Sequence, residues 1–311
     1  MQVTFLGTSA GVPTRARNVS CVALRLPQRA EVWLFDCGEG TQHQLLRSDL
    51  KISQIRRIFI THLHGDHLFG LVGLLATCGM AGHAERIDVY GPRGLEEYLR
   101  EVIRRSQTRF SYPAQVQMVE AGTVYEDEEF VVTALPLKHR TVAFGYRVQE
   151  RSRPGHLDVE KARALGIPAG PIYGRLKRGE TVTLEDGRTI DGRKLCGPTE
   201  RGRSLVYCTD TIYCQSAVEL ARDADLLIHE ATFSNEDEDL ARQSLHSTTG
   251  MAGRVAAEAN AGQLFITHFS PRYAPGNPIT PEDILREARE AFPKTEMAYD
   301  FLNIEVPRHL D

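Results

Sequence analysis

Two pentapeptides of the chain are nearly identical, Ile58-Phe59-Ile60-Thr61-His62 and Leu264-Phe265-Ile266-Thr267-His268. Each is an apolar, β-branched and aromatic run, the pattern of a buried strand, that delivers Thr-His at its carboxyl end. Ser204 to Asp210 is a similar run ending in a carboxylate, and Leu226 to Thr232 carries a His229-Glu230 pair near its end. Ligands of open sheets collect outside the carboxyl ends of strands. Four strands that finish in this way predict one shared site between two related halves.

The densest chemistry follows the first of these strands, in Thr61-His62-Leu63-His64-Gly65-Asp66-His67. Imidazoles and carboxylates are poor residues to bury unpaired, and together they suit a transition metal such as zinc, with manganese or iron also compatible. Alternation puts His62 and His64 on one side of an extended segment, while Asp66-His67 can turn toward a second position. The candidate ligands are His62, His64, Asp66, His67, His139, Asp210 and His268. Two metals that share a water and keep an open position need roughly seven or eight protein ligands. The expected division is His62, His64 and His139 on one metal, Asp66, His67 and His268 on the other, and Asp210 bridging. His43, His83, His156 and His309 have no comparable setting and read as structural or solvated. Asp36, at the end of Val32 to Phe35, reads as a structural carboxylate.

A chain of 311 residues with a net charge of −4 has core enough for a large domain and no overall basic balance. Residues 151–203 differ, with 12 Lys and Arg against 7 Asp and Glu and few apolar runs. They predict a basic, poorly core-forming insertion, a candidate arm for an anionic polymer. The six cysteines form no CxxC pair, which predicts reduced thiols in a cytoplasmic protein. No signal peptide or membrane span is expected. Helices are predicted over 42–50, 70–81, 95–106, 236–243 and 251–259, the last capped by Ser247 or Thr248. Strands, then helices, then strands again suggest a mixed α/β sheet system with helices outside rather than strict βαβ repetition.

The heptapeptide with His139, Asp210 and His268 resembles the metallo-β-lactamase superfamily. That likeness implies an αββα four-layer sandwich, here residues 1–311 as a single domain, with two Zn(2+) per subunit. Three further motifs resemble the ribonuclease Z family: His229-Glu230-Ala231-Thr232, His246-Ser247-Thr248, and Pro13-Thr14-Arg15-Ala16-Arg17-Asn18. The last departs from the family's PxKxRN pattern, with Arg15 in place of lysine. Gly170-Pro171 is similar to the tip of the family's flexible tRNA-gripping arm.

The resemblance implies a zinc-dependent endoribonuclease that removes the 3′ trailer of precursor tRNA, leaving a 3′-hydroxyl on the tRNA and a 5′-phosphate on the trailer. Asp66 would ligate a metal and accept a proton from the attacking water, His246 would protonate the leaving oxygen or stabilise the charged phosphate, and Glu230 would hold the His246 ring. Expected tRNA contacts are Arg15, Arg17, Asn18, Ser247, Thr248, Gly170, Pro171, Arg175, Lys177 and Arg178. A homodimer is implied. The competing readings are a thioester hydrolase of the glyoxalase II kind, a small-molecule phosphodiesterase, or a catalytically silent RNA-binding subunit. The first two leave the basic insertion and the His246–Glu230 combination without a purpose, and no ligand is missing as the third would require.

Overall fold

The computed structural model describes residues 1–80, 86–109, 112 and 114–307. His83 and His309 lie outside these residues. The chain divides into two compact units, one of Met1–Glu126, Val132–Val148 and Arg203–Asp311, the other of Asp127–Val131 and Gln149–Gly202. The strands are β1 (Gln2–Gly7), β2 (Cys21–Leu26), β3 (Glu31–Phe35), β4 (Ile55–Phe59), β5 (Ile87–Gly91), β6 (Ala114–Met118), β7 (Gly122–Glu126), β8 (Phe130–Leu137), β9 (Ala143–Glu150), β10 (Thr181–Thr183), β11 (Thr189–Asp191), β12 (Ser204–Cys208), β13 (Leu226–Glu230), β14 (Leu264–Thr267), β15 (Thr295–Met297) and β16 (Asn303–Glu305). The helices are α1 (Thr41–Arg47), α2 (Gly65–Leu68), α3 (Leu71–Met80), α4 (Leu95–Ser106), α5 (Val159–Ala164), α6 (Pro171–Lys177), α7 (Gln215–Ala221), α8 (Glu238–Ser244), α9 (Thr249–Glu258) and α10 (Pro281–Ala291).

Two seven-stranded sheets build the first unit, in the orders β16-β1-β2-β3-β4-β5-β6 and β15-β14-β13-β12-β9-β8-β7. Strand alternation sorts their residues onto two faces. Phe5, Phe35 and Phe59 meet Phe265, Tyr207 and Tyr146 between the sheets, with ring centroids 5.7, 5.7 and 5.4 Å apart. Their sequence neighbours Leu6, Leu34 and Ile58 pack outward with Leu45, Leu71, Leu74 and Leu95 of α1, α3 and α4. On the other sheet Val206, Cys208, Leu264 and Ile266 pack with Ala217, Val255 and Ile284 of α7, α9 and α10. The order of layers is helix, sheet, sheet, helix. Among the described residues no helix is long and apolar enough to cross a membrane.

The chemistry gathers where parallel strands end level with one another. In one sheet Phe35 of β3 pairs with Phe59 of β4. In the other Cys208 pairs with His229 and Glu230 with Thr267 across β12, β13 and β14. The two near-identical pentapeptides therefore lie in different sheets, each ending at the shared edge. Helix α9 is capped by Thr248, whose side chain accepts from the Met251 N–H. Helix α10 was not expected, although Thr280 and Asp283 form a full capping box with Pro281 in the first turn.

The second unit corrects the expectation of a poorly core-forming stretch. Ala162, Ile167, Leu176, Val182 and Leu195 form a small buried core, with Leu157, Ile172, Tyr173 and Ile190 against it. These apolar residues are scattered among charged, glycine and proline neighbours, so no long run announces them. Asp158 caps α5 by accepting from the Lys161 N–H, and β10 and β11 pair as a hairpin. Gly170 and Pro171 begin α6, with proline in the first turn.

Candidate metal centre

The chain leaves β4 at Phe59 and passes between both sheets. Tyr146 Oη donates to Ile60 O at 2.7 Å, and the Phe144 N–H donates to Thr61 O at 3.0 Å. His64 then caps α2, and one helical turn carries Asp66 and His67. Close backbone packing fixes that turn. The Cys37 N–H donates to His67 O at 2.8 Å, and a Cβ on Gly38 would stand 2.2 Å from the Asp66 carbonyl oxygen.

Two groups of ligand atoms result. In one, His62 Nε2 lies 3.0 Å from His64 Nδ1, and His139 Nε2 lies 3.3 Å from that same nitrogen. In the other, Asp66 Oδ2 lies 3.3 Å from His67 Nε2 and 3.5 Å from His268 Nε2. Asp210 is divided between them. Its Oδ2 lies 3.5 Å from His62 Nε2 and 3.7 Å from His139 Nε2, while its Oδ1 lies 3.2 Å from both His67 Nε2 and His268 Nε2. Each group fits within 4.8 Å, so seven side chains from distant parts of the chain supply two four-membered groups that share one carboxylate.

A second layer orients the rings. Asp36 Oδ2 accepts from His67 Nδ1 at 2.7 Å, and Asp36 also takes the Thr61 N–H at 2.8 Å and Tyr207 Oη at 3.1 Å. His139 Nδ1 donates to Leu245 O at 3.1 Å. His268 Nδ1 donates to Thr232 Oγ1 at 2.9 Å, which in turn donates to Glu230 Oε2 at 2.5 Å. Each contact places the ring proton on Nδ1 and turns Nε2 toward the centre. Glu230 is fully buried and also accepts from His246 Nδ1 at 2.8 Å, Thr211 N at 2.6 Å and Ser247 N at 3.0 Å. His246 Nε2 then stands 4.0 Å from Asp210 Oδ2.

The electrostatics match a cation site. Burial lowers the pKa of both His62 and His139, strongly at His62 where neighbouring imidazoles add to it, and so favours the neutral form that can bind a metal. Burial opposes ionisation of Asp66 and Asp210, but the surrounding imidazoles outweigh it and keep both carboxylates ionised. At His67 burial works against protonation, and Asp210, Asp36 and Asp66 overcome it, pushing its pKa well up. That is a surplus of buried negative charge. His67 Nε2 and His268 Nε2 are buried without a hydrogen-bond partner, aimed at these carboxylates. Divalent cations coordinated by imidazole and carboxylate fit both observations. Three of the residues involved, Asp36, Asp210 and His268, have positive φ of 61°, 51° and 60°.

His229 belongs elsewhere. It is fully buried and its Nδ1 lies 2.7 Å from Glu230 O, so the strand contributes Glu230 to the site and keeps His229 in the packed interior. The expected tRNA contacts divide in two. Ser247 is buried and donates its hydroxyl to Thr211 O, and Thr248 is buried as a helix cap. The Arg17 guanidinium covers the Phe269 ring at 4.6 Å and donates to Thr8 Oγ1 and Ala298 O, while Asn18 binds Glu39 O. These four side chains all make contacts within the protein, and Arg17 and Asn18 remain part-exposed. Arg15, Gly170, Pro171, Arg175, Lys177 and Arg178 are exposed. Asp36, read as structural, holds the His67 ring of the candidate centre.

The fold and this histidine-rich centre define a metallo-β-lactamase-fold protein. Two family models match the chain, the anti-Pycsar protein Apyc1 over residues 1–149 and the beta-lactamase superfamily domain over 197–269. The ribonuclease Z of Cyanothece sp. (strain PCC 7425) is 66% identical over 311 residues, covering 100% of this chain and 97% of that one. The ribonuclease Z of Nostoc sp. (strain PCC 7120) is 67% identical over 308 residues, covering 99% and 96%. The crystal structure of human tRNase Z, short form, superposes with a TM-score of 0.69 at 33% identity, covering 99% of this chain and 100% of its own. The chain belongs to the ribonuclease Z family.

Proposed function

We propose that the chain is a metal-dependent endoribonuclease that cuts the 3′ trailer from precursor tRNA, leaving a 3′-hydroxyl on the tRNA and a 5′-phosphate on the trailer. The observation that carries the reaction is His246, paired with a buried carboxylate and set 4.0 Å from the Asp210 oxygen. Neither a thioester hydrolase nor a silent RNA-binding subunit needs that pair.

Zn(2+) is the proposed metal, two per subunit, one held by His62, His64, His139 and Asp210 and the other by Asp66, His67, His268 and Asp210. Bound there, the ions would supply Lewis acidity toward the phosphate and acidify a water. Asp66 takes the proton of the attacking water. The Gly11 N–H donates to its Oδ2 at 2.8 Å and fixes its orientation. At His246 burial disfavours the charged ring, but the Glu230 carboxylate outweighs this and raises its pKa to about 9. The ring is thus protonated at neutral pH, with Nδ1 on Glu230 and Nε2 toward the centre, ready to protonate the leaving 3′ oxygen.

The basic insertion over 151–203 is proposed as the arm that binds the tRNA body, through exposed residues including Arg175, Lys177 and Arg178. Arg175 and Arg178 both pair with Glu180, at 3.0 and 2.8 Å, so part of their charge is already met. The enzyme is proposed to act as a homodimer in the cytoplasm. The test is cleavage of a trailer-bearing precursor tRNA with both product ends mapped, before and after chelation and on restoring zinc. Trailer removal that stops with chelator and returns with metal is the expected result. Hydrolysis of a bis-aryl phosphodiester with no trailer removal would make the chain a small-molecule phosphodiesterase instead.

A further inference from the structure

One carboxylate remote from the ligands gathers the base of the loop that touches Asp66. The loop runs from Thr8 to Asn18, between β1 and β2. Asp300 Oδ1 accepts from Thr8 Oγ1 at 2.7 Å, and Oδ2 accepts from the Asn18 N–H at 2.7 Å and from Gln44 Nε2 of α1 at 2.9 Å. Both ends of the loop and one helix thus meet on a single side chain. Arg17 reinforces the junction by donating to Thr8 Oγ1 and to Ala298 O, each at 2.7 Å. The Thr8 and Ser9 N–H groups donate to Asn18 O at 2.9 and 2.8 Å, which closes the loop on itself. From that base the chain reaches Gly11, whose φ of +70° turns its N–H onto Asp66 Oδ2.

We propose that Asp300 is a positioning residue for Asp66: by clamping Thr8, Asn18 and Gln44 it holds the loop so that the Gly11 N–H stays on the proton-accepting carboxylate. This rests on the role given to Asp66 above. Only an ionised carboxyl accepts from all three donors at once. An amide in its place has one oxygen and turns an N–H toward the remaining donor. Burial raises the Asp300 pKa, while the Asn18 and Thr8 hydrogen bonds and the Arg17 charge oppose the rise. The clamp is therefore a desolvated anion kept in place by its donors.

The experiment compares Asp300→Ala and Asp300→Asn with the wild type, all loaded with zinc. Trailer cleavage and bis-aryl phosphodiester hydrolysis are measured for kcat and KM, with zinc content and amide hydrogen exchange of residues 8–18 alongside. The expected result for Asp300→Ala is a kcat about 10- to 100-fold lower on both substrates, KM within about twofold, unchanged zinc content, and faster exchange confined to the loop. Asp300→Asn, which keeps the shape, should recover part of the kcat, and it carries the test if Asp300→Ala does not fold. Faster loop exchange with unchanged kcat would overturn the proposal, as would a KM that rises as far as kcat falls. If the wild type removes no trailer, the nuclease reading fails, while the small diester and the exchange still decide the role of Asp300.

Discussion

His67 Nδ1 lies 2.7 Å from Asp36 Oδ2, in a pair with no exposure to solvent on either side. Asp36 thereby sets the tautomer of a ligand 31 positions away in the chain. Ligands lose about 10- to 100-fold in metal affinity when such a partner is removed. Asp36→Asn should therefore release zinc to a competing chelator that much more readily, with only a modest change in melting temperature. Equal affinity in the variant would show that the ring is held by packing alone.

The His246–Glu230 pair predicts the alkaline limb of the pH–rate profile. His246 must be protonated to donate, and its pKa is raised to about 9 chiefly by Glu230 acting against burial. Activity is therefore expected to persist through neutral pH and to fall as pH rises past about 9. Glu230→Gln removes the raising charge, so the limb should move to lower pH. His246→Ala should lower kcat by about 10²- to 10⁴-fold with tRNA affinity nearly unchanged in a filter-binding assay. Lost binding would assign His246 to substrate recognition.

Removing the insertion from Arg153 to Lys194 should weaken precursor-tRNA binding while sparing hydrolysis of a small phosphodiester. On the proposed phosphate contacts, Lys177→Glu should flatten the salt dependence of binding, with the slope falling by about one unit. Parallel loss on both substrates would refute the arm as a separate binding element.

Gly38→Ala tests the close packing beneath the metal loop. The added methyl would meet the Asp66 carbonyl at 2.2 Å and Val19 Cγ2 at 2.7 Å. Backbone cannot swing aside as a side-chain tip does, so a loss of about 1–3 kcal/mol is expected from denaturant titration. Zinc affinity should fall in the same variant, because α2 carries both Asp66 and His67.

The seven residues that gather at the candidate metal centre were legible because a strand end is where a chain can aim a polar group, and the heptapeptide concentrates them. The order of apolar and helical runs suggests a mixed sheet system with helices outside, while the αββα layering came from the family resemblance. The core of the second unit was not legible, since its buried residues sit one at a time among charges, at Ala162, Leu176 and Leu195. Asp300 was invisible for another reason: its partners Thr8, Asn18 and Gln44 come together only once the sheet and α1 have formed. Arg17 and Ser247 show the converse. They stand in motifs that suggest contact with RNA, and polar atoms of each also bond within the protein, which no motif announces.

Asp36, Asp210 and His268 all bend away from their strands with the backbone twisted in the sense that glycine tolerates best. Each such corner opposes folding by about 1–3 kcal/mol. Asp36 offsets that cost with the buried hydrogen bonds it accepts from Thr61, His67 and Tyr207. Glycine at that corner would relax the backbone and strand three donors, so the bend and the carboxylate are kept together.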